Sequence, residues 1–319
     1  MSGMIQFPRK GLDGRLYSQK EIEDAFKKDI VSAIENRLGA IKTKNIIEKK
    51  CISLLSRKVD FLLTASPASL ERIKNWTDKF CFLLRDSGIA GLKKLILDAF
   101  NYDNYRHNHL VKHAERLNVK TCCYCNMNYT LLIEERKVRT IEEKALMQFD
   151  HFYDKAKYPH LSMSMYNLVP SCAICNQGKH RNESLPIYFN PYYRSLFELY
   201  QFRVKDPLQL YMAVSHPDKI EVECKPKTSA DISPCDSWFH LSAKYSVHKD
   251  IVKEVFDKAQ QYPYYINFRN FGFLKEGASY PLRLLLGVYP EEKDFDKRPM
   301  SKFVTDIWEQ ACLYLKRPR

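Results

Sequence analysis

The sequence predicts an α+β chain in three parts: a helical, basic amino-terminal region over 1–118, a short cysteine-framed unit over 119–190, and a mixed α/β region over 191–319. Three observations carry this. Apolar residues recur at helical spacing between about 18 and 116. Two Cys-x-x-Cys pairs, Cys122/Cys125 and Cys172/Cys175, frame the middle segment. Beyond residue 191, alternating apolar stretches and helical stripes are mixed. At 319 residues the chain is long enough to bury a good core and hold two or three domains.

The amino-terminal elements follow from periodicity. Ile22, Phe26, Ile30, Ile34 and Leu38 recur every four residues on one stripe. Ser66-Pro67 offers a cap followed by proline, a helix start. Leu70, Ile73, Trp76, Phe80 and Leu83 carry that helix on, and Leu92, Leu95, Ile96, Ala99 and Phe100 make another after Gly88 and Gly91. These stripes are expected to face a core. In the middle unit, Tyr129–Ile133 is expected as a strand, turning near Glu134–Arg136 to pair with Lys137–Arg139. The run Ala145–Phe149 is a second strand candidate. In the last region, Leu208–Val214 and Ile220–Cys224 alternate about Ser215–Asp218 and predict a hairpin. Helices are expected over 248–262 and 301–316. The aromatic residues Trp238, Phe239, Tyr262, Tyr264, Tyr265, Phe268, Phe271 and Phe273 are expected in packing rather than in base stacking.

Composition narrows the class. There is no apolar run of membrane-spanning length and no signal-peptide core at the amino terminus. Ten cysteines, four of them paired in knuckles and the rest scattered, fit reduced, cytoplasmic usage rather than a disulfide scaffold. The net charge is +13. Its excess is amino-terminal, where residues 1–120 hold 23 Lys/Arg against 14 Asp/Glu. It is densest at Lys42, Lys44, Lys49, Lys50, Arg57 and Lys58. A basic face suits contact with a phosphate backbone, although any single lysine there is more simply a solvated side chain.

The two Cys-x-x-Cys pairs are first a zinc site. Each pair turns two thiolates into one tetrahedral corner, and four thiolates close the coordination sphere. A closed sphere leaves no position for chemistry, so this Zn2+ is expected to be a folding staple. In Cys122-Cys123-Tyr124-Cys125 the spacing selects Cys122 rather than Cys123.

Between the pairs lies a second constellation. Asp150 offers a hard carboxylate suited to Mg2+. His151 offers an imidazole suited to activating a water. Neighbours in a strand point to opposite faces, so the two can divide these roles only if the backbone bends there. Asn167 leads into the second knuckle, and its amide can brace the loop that presents His151. Asn176, directly after Cys175, is expected on the first turn of a helix with its carbonyl oxygen as a neutral ligand. His180 lies four residues on, on the same helix face, as a further ligand or a phosphate contact. Lys179 and Arg181 flank it as candidates for holding phosphate oxygens.

With these residues in place, the segment resembles an HNH endonuclease of the ββα-metal type, in the subset that carries a four-cysteine zinc. The likeness covers residues 121–183, under a quarter of the chain. The family pattern is a first His often preceded by Asp, a middle Asn, and a last His or Asn after the second knuckle. It falls on Asp150-His151, Asn167 and Asn176. The resemblance implies a central ββα-metal unit with His151 as general base. It implies Asp150 and Asn176 as ligands of a catalytic Mg2+ or Mn2+, and Asn167 as the residue that orients the loop. Asn in the last position implies an oxygen-preferring metal rather than a second zinc, and only some members use a ligand at the place of His180. The wider layout resembles the HNH nucleases of Septu-type and retron-associated antiphage defence. In that family the nuclease works on DNA with an SMC-like ATPase subunit, which implies a partner-docking surface outside the motif, as in 191–319.

Two other readings stay open on these residues: a standalone HNH restriction or mobile-element nuclease, and a non-enzymatic zinc-ribbon module that binds nucleic acid or protein. Asp, His and both Asn at motif positions favour an enzyme. The absence of a recognisable reading helix weighs against a site-specific one. The choice between Asn176 and His180 stays open, as does RNA or tRNA as substrate. The literal string His107-Asn108-His109 is not the motif. His109 and His113, four apart with no companion acid, are expected at a helix surface or in packing. His160 is a loop residue open to substrate contact.

Overall fold

Ser18 caps the first helix: its hydroxyl accepts from Glu21 N–H, and the Glu21 carboxylate accepts from Ser18 N–H in return. The stripe Ile22-Phe26-Ile30-Ile34-Leu38 is buried throughout, but it runs over two helices, α1 (Gln19–Lys27) and α2 (Val31–Gly39). Asp29, at φ +67°, breaks the helix between them while the four-residue spacing carries across. A two-residue pair, β1 (Arg9–Lys10) with β2 (Leu16–Tyr17), precedes α1. Helices α3 (Ile46–Ser56) and α4 (Val59–Leu63) follow, capped at Asn45, whose Oδ1 accepts from Ile47 N–H.

The computed structural model describes residues 3–80, 90–136, 141–179, 185–206, 208–209, 217–229, 231–265 and 279–315. Helix α5 (Pro67–Phe80) starts where Ser66-Pro67 predicts, with Ser66 Oγ accepting from Ser69 N–H. Two expected core residues turn outward. Trp76 is 47% exposed and Leu95, on α6 (Ala90–Phe100), is 44% exposed. On α5, Thr77 takes the inward position instead, its hydroxyl donating to the Ile73 carbonyl at 2.8 Å. Leu95 sits at the flank of an arc already filled by Leu92, Ile96, Ala99 and Phe100, all buried. Gly91 is inside α6 rather than before it; Leu83, Gly88 and the Phe80 side chain lie outside the described residues. A single turn, α7 (Tyr102–Tyr105), leads to α8 (His109–Leu117), which buries Leu110, Val111, His113, Ala114 and Leu117.

The strands of the middle segment pair differently from expectation. β3 (Leu131–Arg136) pairs antiparallel with β4 (Ile141–Leu146), from Leu131↔Leu146 to Arg136↔Ile141. The ladder therefore continues through Glu134–Arg136, which the sequence marks as a turn, because backbone pairing at a hairpin end needs no apolar side chains. The expected partner, Lys137–Arg139, lies outside the described residues. The run 145–149 is not one strand. It breaks at Met147, and β5 (Gln148–His151) pairs in a separate sheet with β6 (Leu168–Ser171). Helix α9 (Ala173–Gly178) follows β6.

In the carboxy-terminal region, β8 (Val222–Pro226) pairs with β7 (Tyr200–Val204), not with Leu208–Val214. Leu208 and Gln209 are in a helical turn, and 210–216 lie outside the described residues. β7 alternates buried and half-buried positions and packs on α14. The helices are α10 (Ser233–Phe239), α11 (Leu241–Tyr245), α12 (Lys249–Tyr265), α13 (Ser279–Leu286) and α14 (Ser301–Tyr314). Val252, Val255, Phe256 and Ala259 on α12, and Phe303, Val304, Ile307, Trp308 and Ala311 on α14, are buried as their spacing predicts, whereas Ile251, expected inward with them, is half-buried. Trp238 and Phe239 are buried in packing. For Tyr262, Tyr264 and Tyr265 the side chains, and for Phe268, Phe271 and Phe273 the whole residues, lie outside the described part.

The chain divides into two compact units. The first comprises 1–119, 130–176 and 180–194; the second comprises 120–129, 177–179 and 195–319. The architecture is mixed α+β, mostly helical, with small two-stranded sheets among the described residues.

Candidate functional site

Cys122, Cys125, Cys172 and Cys175 are all buried, and their four sulfurs lie within 4.8 Å of one another. A tetrahedron of Zn–S bonds of about 2.3 Å needs sulfurs in this range, and four soft thiolates match Zn2+. Cys123, equally buried, is not among them, as the spacing predicts. The first corner is a tight turn in which Asn126 N–H donates to the Cys122 carbonyl at 2.9 Å. Met127 N–H approaches the Cys125 sulfur at 3.4 Å. The second corner is helical: Cys175 lies in α9, and Asn176 N–H donates to the Cys172 carbonyl at 3.0 Å.

The Asp150-His151 pair ends β5. Asp150 pairs with Val169 and His151 with Leu168, and Phe152 N–H donates to the Asn167 carbonyl at 2.8 Å just beyond. The strand is thus regular through His151 and turns immediately after it. Asp150 is buried and His151 half-buried, on opposite faces of the strand. Residues 152–167 form the connection between β5 and β6, and Asn167, fully buried, organises it. Its Oδ1 accepts from Tyr153 N–H at 2.7 Å, and its Nδ2 donates to the carbonyls of Tyr153 and Leu161, both at 3.0 Å. These bonds satisfy backbone groups that a buried loop leaves without a ladder partner.

That loop delivers a carbonyl to His151. Nε2 lies 2.9 Å from the Ser162 oxygen, and Ser162 is held in turn by its own hydroxyl on the Pro159 carbonyl at 2.7 Å. A carbonyl only accepts, so Nε2 carries the proton and Nδ1 carries the basic lone pair of the neutral imidazole. The Tyr102 ring meets the His151 ring edge-on at 4.4 Å between centroids, and its hydroxyl donates to the Phe149 carbonyl at 3.3 Å. Burial pushes the Tyr102 phenol up to about 12, so it stays neutral and serves as a wall. Lys155 stands 4.5 Å over the same ring and pairs with Asp103 at 3.2 Å.

Asn176 donates its amide N–H to the Gln148 side-chain oxygen. Gln148 and Asp150 are two apart on β5 and share a face, so Asn176 stands on the Asp150 side of the strand. Asp150 and Asn176 each carry an oxygen donor of the kind a hard divalent cation prefers. Lys179 is half-buried; His180 and Arg181 lie outside the described residues.

His160 does not stand open to substrate. It is buried, with Nε2 3.3 Å from Thr77 Oγ1, and burial pushes it down to about 4. The 3-10 turn Pro159–Leu161 packs against α4 and α6, which draws the histidine inward. His109 and His113 pack: both rings contact Phe26, at 5.3 and 4.8 Å, and burial pushes His113 down to about 3. Nothing in the sequence marks Tyr102 or Ser162. Tyr102 comes from a distant helical turn, and Ser162 contributes only a main-chain oxygen. Gln148 carries a faint signal, its place two residues before Asp150 on one strand.

Over 72 residues the chain is 36% identical to the Septu protein PtuB of Bacillus thuringiensis. The alignment covers 22% of this chain and 23% of that protein, so the chain spans less than a quarter of its relative's length. No family model matches the chain, and no solved structure matches it.

Proposed function

We propose that the chain is an HNH endonuclease that hydrolyses DNA phosphodiester bonds with Mg2+ or Mn2+, and that it is the nuclease effector of a Septu-like antiphage system. The observation that carries the reading is the tautomer set at His151 by the Ser162 carbonyl. A base needs an imidazole that is aimed and has a defined proton-accepting nitrogen, and the hydrogen bond from Nε2 to the Ser162 carbonyl fixes the ring and assigns the Nε2 proton. Asn167 supports this by holding the loop that carries Ser162.

In this reading Nδ1 of His151 takes the proton of an attacking water as its oxygen bonds to phosphorus and the bond to the leaving oxygen breaks. Asp150 and Asn176, with His180 as a further candidate ligand, would hold the divalent cation, which when bound neutralises charge on the phosphate and the leaving oxygen. Lys179 and Arg181 are proposed phosphate contacts, and the four-cysteine cluster a structural Zn2+ site. The partial likeness to PtuB supports a defence setting and an SMC-like, PtuA-type ATPase as partner. The basic amino-terminal region supports contact with the DNA backbone.

The test is cleavage of supercoiled plasmid by zinc-loaded protein with Mg2+ or Mn2+, beside His151→Ala of verified fold. The wild type is expected to cut, and the variant to be slower by about 10²–10⁴. Equal cutting by both would overturn the assignment of His151. If neither cuts, alone or with a PtuA-type ATPase added, a zinc-ribbon binding module replaces the nuclease.

A further inference from the structure

The first cysteine corner is bound into its surroundings by a residue outside the thiolate set and outside the HNH pattern. Asn126 follows Cys125 directly, is fully buried, and sits at φ +52°, in the left-handed region. Every polar group it carries is engaged within the second unit. Its N–H donates to the Cys122 carbonyl at 2.9 Å, and its own carbonyl accepts from Met300 N–H at 2.7 Å. Its Nδ2 lies 3.0 Å from Thr121 Oγ1, 2.7 Å from the Phe295 carbonyl and 3.5 Å from the Arg298 carbonyl. Its Oδ1 accepts from Lys302 N–H at 3.0 Å.

Two features of this set point the same way. The partners are main-chain groups around the start of α14 and the turn before it, 169 to 176 residues away in sequence. None of these bonds uses a cysteine thiolate. The corner is also held from its other side: Tyr245 Oη donates to the Cys125 carbonyl at 2.6 Å, and Tyr124 stacks on Phe239 at 4.3 Å and 15°. Side-chain chemistry selects asparagine here. Aspartate would set an anionic oxygen against the Phe295 and Arg298 carbonyls. Glycine would accept the left-handed backbone more readily but supply no side-chain hydrogen bonds.

We propose that Asn126 is a positioning residue that presets the Cys122–Cys125 corner for Zn2+ before the ion arrives. Small zinc modules commonly draw their folding from the metal. Here one half of the ligand set is held by the carboxy-terminal helices, and the ion meets a formed corner. Partners behind metal ligands commonly change affinity by 10–100-fold when removed. The inference rests on the reading of the four cysteines as a Zn2+ site and is independent of nuclease activity.

The experiment uses the full chain and Zn2+ itself. Zinc affinity is measured by competition with a chromophoric chelator for the wild type, Asn126→Gly and Asn126→Asp, with Co2+ spectra of each. Asn126→Gly is expected to bind Zn2+ about 10–100-fold more weakly. Its thiolate-to-Co2+ band is expected to be altered, with far-UV circular dichroism unchanged. Asn126→Asp is expected to fall in the same direction. Amide exchange of the wild type with and without zinc adds a measurement that needs no variant to fold: the Asn126 and Met300 amides are expected to stay protected after chelation. Unchanged affinity and an unchanged Co2+ spectrum in Asn126→Gly would overturn the proposal, and so would rapid exchange of those amides in the zinc-free wild type. A wild type that takes up no zinc overturns the four-thiolate reading beneath it, a result distinct from either.

Discussion

Asn126 and Asn167 are two fully buried asparagines with the same physical task in different units. Each spends its side-chain amide on main-chain groups that have no partner in a helix or sheet. Their partners differ in range. Asn167 bonds residues 6 to 14 positions away, within one loop of the first unit. Asn126 bonds residues up to 176 positions away, in the second unit. The first is a local device that shapes a loop. The second is a long-range device that fastens a short turn to a helix start. Loosening the loop is therefore expected to act within the first unit, whereas loosening the turn is expected to act on zinc binding.

The comparison is sharpest under truncation at Asn167. Asn167→Ala leaves the Tyr153 N–H and carbonyl without that partner in a buried loop, while the Leu161 carbonyl keeps the Ser164 N–H at 3.1 Å. At about 1–3 kcal/mol for each unsatisfied group, several kcal/mol of stability should be lost. Chemical denaturation would measure this. Zinc stoichiometry is expected to hold while cleavage falls, because the Ser162 carbonyl loses its place at His151. A loss of zinc equal to that of Asn126→Gly would erase the distinction between the two residues.

Acid should separate the units next. Burial holds His113 near 3 and His160 near 4, both below the ordinary imidazole value of 6.5. A depressed histidine binds its proton more readily in the unfolded chain, so stability is complete above about pH 6.5 and falls as the pH drops toward the folded values. At pH 5 each histidine costs about 2 kcal/mol. Both lie in the first unit. Fluorescence and amide exchange between pH 7 and 5 should show the first unit loosening ahead of the second, and His113→Phe should recover about half of the loss. An equal response in both units would break the comparison.

Tyr102→Phe should have the smallest effect. It removes one long hydrogen bond to the Phe149 carbonyl and keeps the ring beside His151. About 1 kcal/mol or less of stability is expected to go, with cleavage within a few-fold of wild type. A large loss of cleavage would give the hydroxyl a part in the chemistry and not only in the wall.

The residues themselves determined the four-cysteine cluster. Two equal spacings dictate two corners, and a corner is a local geometry, so Cys122, Cys125, Cys172 and Cys175 were legible, down to the choice of Cys122 over Cys123. The buried stripes of α1, α2, α12 and α14 were legible for the same reason, since helix periodicity acts over a few residues. Asn167 was marked by its place in a pattern.

Tertiary structure decided the rest. The strand partners were misplaced wherever the sequence suggested a nearby turn. Pairing is set by which backbones meet, and β7 reached β8 across a stretch that looked like one arm of a hairpin. The inward path of His160, the Ser162 carbonyl at His151, the Tyr102 wall and the bonds at Asn126 join residues that composition and spacing leave unrelated. A main-chain oxygen has no letter in the sequence, and a contact spanning 176 residues has no period. Local geometry is written in neighbouring residues; the environment of a side chain exists only once the chain has folded around it.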